Sequence, residues 1–228
     1  MKTVKDSIDN INEYVAMRVI ELVKEKPDAA IAFCAGKTFE GVFDKLSKSD
    51  ADFSKVRALL VCDYSGLPGD DGRRCINILD KELFSKLGIS EVYAPDENEP
   101  ESFDDVIKSV GGLDLVLLGI GLNGHIGFNE PATPYLSYTH TAKLTDSTKR
   151  MKSELFGGFD NVPDYGVTMG LKTICDAKNV ILTAFGEEKA QIIHELVYGK
   201  TLTYVPAAML QMHMNMTLCI DDAAASKL

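Results

Sequence analysis

The sequence predicts an α/β fold over residues 1–228: a single-domain, three-layer Rossmann-like sandwich with a mostly parallel central sheet. Short apolar segments alternate with amphipathic ones, as in strands joined by crossover helices. Three of the predicted strands end in loops that carry glycine or aspartate, where ligands bind in such sheets. With 45% hydrophobic residues and no linker, repeat or low-complexity segment, the chain suits one core.

Hydrophobic periodicity places the elements in chain order. Apolar residues recur at helical spacing from Ile8 to Leu22, and Ser7 is suited to capping that helix. A second helix presents Phe39, Val42, Phe43 and Leu46 on one face. The remaining predictions are strands over 29–34, 56–62, 91–94, 113–118, 179–185 and 216–220, with helices over 75–86 and 187–197.

Charge and cysteine usage exclude several classes of protein. The net charge of -10 disfavours a nucleic-acid partner or an anionic membrane surface. No apolar run reaches membrane-spanning length, and the first residues lack a signal-peptide core. No two of the five cysteines have the spacing of a zinc or redox site, and their odd number disfavours a disulfide framework. No histidine has ligand-like spacing with another histidine or a cysteine, so we expect no metal, and no cofactor is expected either. A cytoplasmic location is expected, with a peroxisome-type organelle as the alternative because the chain ends Ser226-Lys227-Leu228.

The loop at 119–131, just beyond the strand predicted at 113–118, carries the densest set of polar groups. Three glycines before His125 let the backbone turn sharply and approach a ligand closely. The loop also holds Asn123 and Glu130. A carboxylate near an imidazole fixes its tautomer and raises its basicity, which suits proton transfer near neutral pH. On spacing alone, a turn-capping His125 with a solvated Glu130 remains an alternative.

The segment Leu118-Gly-Ile-Gly-Leu-Asn-Gly-His-Ile-Gly-Phe-Asn-Glu-Pro131 resembles the signature of glucosamine-6-phosphate deaminases. Their wider group includes galactosamine-6-phosphate deaminase/isomerases and, more distantly, 6-phosphogluconolactonases. Cys62-Asp-Tyr-Ser-Gly-Leu-Pro68 is similar to the family's Asp-Glu-Tyr-x-Gly-Leu segment, shortened by one residue. Further similar blocks follow in the family's order at 166–171, 186–190 and 205–213.

The resemblance implies a reaction and roles for its residues. A hexosamine 6-phosphate ring is opened, a proton moves from C2 to C1, and ammonia leaves, giving tagatose-6-phosphate or fructose-6-phosphate from the galacto or gluco sugar. Asp63 is then the base for proton transfer, His125 opens the ring, and Glu130 orients His125. Asn123 stands where the deaminases usually have aspartate, which shortens or retunes the relay. This form of the motif is more similar to the galactosamine branch and favours the galacto epimer.

Phosphate binding is expected in the loop of Ala35, Gly36, Lys37 and Thr38. The loop lies between a strand and a helix start, where backbone N–H groups meet the positive end of the helix dipole. It is not a nucleotide P-loop, because that motif requires glycine at position 31, which is isoleucine. Lys37 departs from the family's loop and either adds charge to the phosphate site or points to solvent.

The resemblance also assigns phosphate to Lys189, and the glycines Gly121 and Gly124 to the substrate loop. The arginine that some deaminases use for phosphate aligns with Glu154. Three nearby cations either replace that arginine or form a plain cationic helix face: Lys149, Arg150 and Lys152. The expected partner is a small sugar phosphate, and assembly into a homo-oligomer is left open.

Two other functions stay open at this point. A 6-phosphogluconolactonase would share the fold, although lactonases tend to read Gly-His-x-Ala-Ser-Leu-Phe-Pro after the glycines. A non-catalytic sugar-phosphate-binding regulator is suggested by the departures at Lys37, Asn123 and Glu154. The presence together of an aspartate, a histidine and a glutamate in the matching positions favours the deaminating isomerase.

Overall fold

The computed structural model describes residues 1–200 and 204–228. Its strands are β1 Lys2–Lys5, β2 Ala30–Phe33, β3 Arg57–Leu60, β4 Cys62–Tyr64, β5 Glu91–Tyr93, β6 Leu115–Leu118, β7 His140–Lys143, β8 Tyr165–Thr168, β9 Val180–Ala184 and β10 Met216–Ile220. Its α-helices are α1 Ile8–Glu25, α2 Glu40–Ser47, α3 Cys75–Leu79, α4 Ser85–Leu87, α5 Ser102–Ser109, α6 Asp146–Phe156, α7 Leu171–Cys175 and α8 Ala190–Tyr198. Short 3-10 segments precede α2 (Lys37–Phe39) and α8 (Glu187–Lys189), and a π-helical turn joins α3 to α4.

Seven strands form one sheet in the order β1-β10-β9-β6-β2-β3-β5, and every neighbouring pair is parallel. Alternate residues of β2 enter opposite cores: Ile31 packs with α1 and α2, and Ala32 packs with α5, α7 and α8. Helices therefore cover both faces, as expected when strands are apolar on both sides. The predicted α/β class with a mostly parallel central sheet is confirmed.

The order of the strands reverses between β2 and β6, because the chain moves outward from β2 to β3 but from β6 to β9 in the opposite direction. Such a switch leaves a crevice beyond the carboxyl ends of the two strands. The loop at 34–38 follows β2 and the loop at 119–125 follows β6. The topology therefore brings the two glycine-bearing loops to one place.

The strand expected over 56–62 divides in two. The Val61 N–H donates to Phe33 in the main sheet at 3.0 Å, and the Val61 carbonyl accepts from Met169 at 2.8 Å. The chain thereby passes into a second sheet, antiparallel, in the order β4-β8-β7. This crossing sets which side chains of β4 face the crevice.

The cap predicted for the first helix is present, since Ser7 accepts a hydrogen bond from the Asn10 N–H at 3.3 Å. Three strands and three helices were not predicted: β1, β7, β8, α5, α6 and α7. Most of these are short or polar, so they carry little hydrophobic periodicity. No helix in the described residues is long and apolar enough to cross a membrane.

Candidate active site

A cleft of about 530 Å³ opens at the switch between β2 and β6. Its wall includes seven of the residues predicted from sequence: Ala35, Gly36, Lys37, Thr38, Gly121, His125 and Lys189. Side chains from β4, α3 and α6 complete it. The two loops that the sequence assigned to phosphate and to acid–base chemistry therefore share one cavity.

The His125 ring is held through Asn123. Its Nδ1 lies 2.7 Å from the Asn123 amide oxygen, and the amide nitrogen donates to Glu130 Oε2 at 2.8 Å. Because a carboxylate only accepts, the amide must turn its NH₂ to Glu130 and its oxygen to the imidazole. Nδ1 therefore carries the proton, and Nε2 keeps a lone pair.

Glu130 orients the imidazole indirectly. Its carboxylate is 3.9 Å from His125 Nδ1, beyond hydrogen-bond distance. It accepts from the backbone and hydroxyl of Thr145, both at 3.1 Å, and Thr148 Oγ1 lies 3.0 Å from His125 Nδ1. The two threonines belong to the start of α6 and were not singled out from sequence. Thr145 is the N-cap of that helix, which is the signal that predicts its position.

Burial lowers the pKa of His125 to about 4. The charges of Lys152 and Lys189 lower this pKa too, whereas Glu130 raises it. At neutral pH the imidazole is uncharged, and its Nε2 is ready to accept a proton. His125 as a whole is 6% exposed, and it lines the cleft.

The glycines make room for this ring. A Cβ on Gly121 would lie 2.2 Å from His125 Cε1 and Nδ1, so no larger residue fits beside the imidazole. Gly124 has φ +82° and packs against Val205, outside the cleft wall. Its role is the turn itself, which differs from the substrate contact expected for it.

Three lysines line the cleft and differ in their hydrogen-bond and ion-pair partners. Lys189 donates to the Ile120 carbonyl at 2.8 Å, and burial lowers its pKa. Lys37 pairs with Glu154 at 3.0 Å, and both side chains are exposed. Lys152 lines the cleft, half-buried, and forms no ion pair with any residue that the structure describes.

The three basic residues of α6 lie on different faces of the helix. Lys149 pairs with Asp164 at 2.7 Å and Arg150 pairs with Asp146 at 3.4 Å, and neither of the two lines the cleft. Lys152 lies one helical turn beyond Thr148, on the side that contacts His125. Of the three candidates that could replace the arginine, only Lys152 faces the site.

Asp63 does not line the cleft. Its side chain is fully buried, with one oxygen accepting from the backbone N–H of Tyr64 and Cys75 at 2.8 and 2.7 Å. The other oxygen pairs with Arg74 at 3.0 Å. This placement differs from the expectation that Asp63 reaches the sugar.

The reason is the alternation of side chains along β4. Cys62 and Tyr64 share the face that lines the cleft, so Asp63 must point to the opposite side. Aligning Tyr64-Ser-Gly-Leu67 with the family's Tyr-x-Gly-Leu, without the one-residue gap, puts Cys62 opposite the family's aspartate. This thiol was not predicted as a site residue, and the unbroken Tyr-x-Gly-Leu match was the signal that could have found it.

In the described ranges, no cluster of three histidine, cysteine or acidic side chains is suited to holding a metal ion. The polar groups of the cleft include the uncharged imidazole and the backbone N–H groups of the loop at 36–38. Three cations and three carboxylates also line it: Lys37, Lys152, Lys189, Glu40, Glu82 and Glu154. This arrangement, at the ligand-binding edge of a parallel sheet, defines an α/β enzyme with a polar small-molecule cleft.

Comparison with known proteins agrees with the assignment of this fold and site to an enzyme. Residues 2–219 match the family model described as glucosamine-6-phosphate isomerases/6-phosphogluconolactonase. The glucosamine-6-phosphate deaminase of Staphylococcus haemolyticus is 35% identical, over 95% of each chain. That of Enterococcus faecalis is 36% identical, over 92% of this chain and 94% of its own. The chain belongs to the family of glucosamine-6-phosphate isomerases and 6-phosphogluconolactonases, and the resemblance found in the sequence is confirmed.

Solved structures share the fold. A monomeric glucosamine-6-phosphate deaminase superposes with a TM-score of 0.97 at 30% identity, over the whole of both chains. The 6-phosphogluconolactonase of Trypanosoma brucei gives 0.82 at 16% identity, over 100% of this chain and 98% of its own. At that identity the likeness to the lactonase is one of fold alone.

Proposed function

We infer that this protein opens and deaminates a hexosamine 6-phosphate, giving the ketose 6-phosphate and ammonia. The observation that carries the proposal is the Glu130–Asn123–His125 relay, whose imidazole lines the cleft. Sequence identity of 34–36% over nearly the whole chain to glucosamine-6-phosphate deaminases supports the same reaction.

His125 performs the ring opening in this proposal. Its Nε2 lone pair takes the proton of the anomeric hydroxyl and passes it to the ring oxygen, which leaves an open-chain aldehyde. The Asn123 oxygen holds Nδ1–H in place throughout, so the ring does not turn. A positioned general acid–base group of this kind contributes about 10²–10⁴-fold in rate.

The phosphate is bound by Lys189, Lys152 and the N–H groups of the loop at 36–38. Lys189 and Lys152 each line the cleft. Burial first, and the charge of Lys152 as well, lower the pKa of Lys189, and a dianion between the two lysines would stabilise both charges. Local positive charge is required because the whole chain carries a net charge of -10.

A regulator that binds sugar phosphates without turnover is a second candidate. The observation in its favour is the position of Asp63, whose carboxylate is committed to Arg74 and to two backbone N–H groups. Asp63 then does not supply the carboxylate expected for the C2-to-C1 proton transfer. Such a protein would bind the sugar and release no ammonia.

The test is ammonia release from galactosamine-6-phosphate and from glucosamine-6-phosphate, with binding of each sugar measured by calorimetry in parallel. We expect ammonia from at least one epimer, and the ratio of the two kcat/KM values decides the substrate. The galacto epimer is the prediction from the motif. Binding without ammonia from either sugar would replace the deaminase by the regulator, and hydrolysis of 6-phosphogluconolactone would favour the lactonase.

The cytoplasmic location and the oligomeric state stay predictions. Light scattering in solution would measure the mass of the particle and decide whether this protein is a monomer. The solved deaminase that is 30% identical is described as monomeric.

A further inference from the structure

Three free cysteines meet at one side of the cleft: Cys34, Cys62 and Cys75. They come from three different elements, since Cys34 follows β2, Cys62 begins β4 and Cys75 begins α3. Each lines the same cavity as His125. The ring-opening chemistry proposed above makes no use of them.

Cys62 lines the cleft, whereas Asp63, the carboxylate expected from sequence to act there, does not. Cys62 begins β4, two residues after β3 ends, and it is 8% exposed. The side chain of its neighbour Asp63 points away from the cleft and pairs with Arg74. The proton transfer between C2 and C1 needs one group that can reach both carbons on one face of a planar intermediate. On β4 the side chains that face the cleft are those of Cys62 and Tyr64, and Tyr64 packs its ring against Phe128 and Phe156.

We propose that the thiol of Cys62 transfers the proton between C2 and C1 of the opened amino sugar. This assignment rests on the proposed function and adds to it the residue that performs the second step.

The Cys62 thiolate takes the C2 proton, the C2–H electron pair forms the C1=C2 double bond, and the aldehyde oxygen takes a proton from water, which leaves hydroxide. The thiol exchanges its proton with solvent and then protonates C1, while the nitrogen lone pair forms a C2=N iminium and the thiolate is restored. Hydroxide adds to the iminium, and the carbinolamine loses ammonia to give the ketose.

The surroundings of Cys62 set a pH dependence. The Cys34 thiol and burial raise the pKa of Cys62 well above the ordinary value, whereas Cys75 and the charge of Lys152 lower it. The thiol is therefore neutral in the free protein near pH 7, and the thiolate fraction grows as the pH rises. Turnover limited by this step increases toward alkaline pH. A carboxylate base would already be ionised near pH 6 and would show no such limb.

The experiment measures deuterium incorporated at C1 of the ketose product in D₂O, with each hexosamine 6-phosphate as substrate. The variants are Cys62→Ala, Cys62→Ser and Cys62→Asp, with Cys175→Ala as the matched control because Cys175 is a half-buried thiol outside the cleft. We expect Cys62→Ala and Cys62→Ser to lose at least about 100-fold in rate and Cys175→Ala to match the wild type. Cys62→Asp should still incorporate deuterium at C1, but its rate should no longer rise toward alkaline pH.

Wild-type exchange in Cys62→Ala, or a wild-type profile that is flat between pH 6 and 9, would overturn the assignment while the deaminase proposal stands. Exchange abolished in a folded Asp63→Asn protein, with Cys62→Ala active, would return the step to Asp63. Sugar binding with neither ammonia nor exchange in the wild type would instead remove the deaminase proposal, and the assignment with it.

Discussion

At the scale of single residues, the site depends on an amide that has only one useful orientation. Glu130 accepts from the Asn123 NH₂ group, so the amide oxygen is left to accept from His125 Nδ1. From sequence, this asparagine was expected to shorten or retune the relay. In the structure it passes the orienting effect of Glu130 to the imidazole without adding a negative charge to the ring.

Asn123→Ala removes the acceptor for the Nδ1 proton, and the imidazole is then free to adopt the other tautomer. We expect kcat for ammonia release to fall by about 10–100-fold, the range for an outer partner of a functional histidine. The KM should stay within several-fold, because Asn123 does not line the cleft. Asn98→Ala, an exposed loop change, is the control. A rise in KM of about 10–100-fold with kcat unchanged would instead show that Asn123 contributes to substrate binding.

His125 also links stability to pH. Its pKa is about 4 in the folded protein and near 6.5 when unfolded, so the unfolded chain binds more protons between these values. The stabilisation is complete above pH 6.5 and is lost as the pH falls toward 4. Between pH 7.5 and 5 the free energy of unfolding should fall by about 2 kcal/mol more in the wild type than in His125→Gln. Parallel urea-denaturation curves for the two proteins would contradict this.

Asp63 is expected to matter for folding. Asp63→Asn leaves Arg74 without its buried partner, and breaking a buried ion pair costs about 3 kcal/mol. Asp222→Asn is the control, since its pair with Lys5 is exposed and should cost less than about 1 kcal/mol. The measurement is the urea midpoint of each variant. Equal midpoints for the two would show that the Asp63–Arg74 pair contributes no net stability.

At the scale of elements, α6 couples the two halves of the site. Thr148 contacts His125, and Lys152 lies one turn further along the same face of the helix. Any movement of α6 therefore changes the orientation of the imidazole and the charge at the proposed phosphate site together. The sequence suggested only a cationic helix face here, because periodicity cannot tell which of three basic residues points inward.

Lys152→Ala should weaken binding of glucose 6-phosphate, a probe that has no amino group to lose. A charge-assisted hydrogen bond is worth about 1.5–3 kcal/mol, so we expect Kd to rise by at least about tenfold. Arg150→Ala is the matched control, since it removes a cation from the same helix on the exposed face. The Kd of glucose 6-phosphate for each variant is measured by calorimetric titration. Equal effects of the two changes would indicate a general field in place of a specific contact.

The elements also show where sequence reasoning stops. The apolar strands of the main sheet and the glycine loop with His125 were predicted, because buried strands and tight turns leave clear patterns. The second sheet was missed: β4 follows β3 after one residue, and no breaker marks the crossing. That crossing decides which of Cys62 and Asp63 faces the cleft, so the position of Asp63 could not be read from the strand alone.

At the scale of the whole molecule, an acidic protein holds a cleft lined by both cations and carboxylates. Lys37 and Glu154 line it and pair with each other at 3.0 Å, with both side chains exposed. The inward-facing Lys152 and Lys189 have no carboxylate paired with them in the residues the structure describes. A small dianion is thus attracted at the switch point of the sheet, while larger polyanions are repelled by the rest of the surface.

The central claim is that this cleft turns over a hexosamine 6-phosphate through His125. The most direct measurement follows glucosamine-6-phosphate and galactosamine-6-phosphate by proton NMR in D₂O, with wild-type protein and with His125→Gln. We predict ketose 6-phosphate carrying one deuterium at C1, with equimolar ammonia, and a rate at least about 100-fold lower in His125→Gln. Unchanged starting sugar in the presence of tight-binding wild-type protein, or equal rates for the two proteins, would contradict the account.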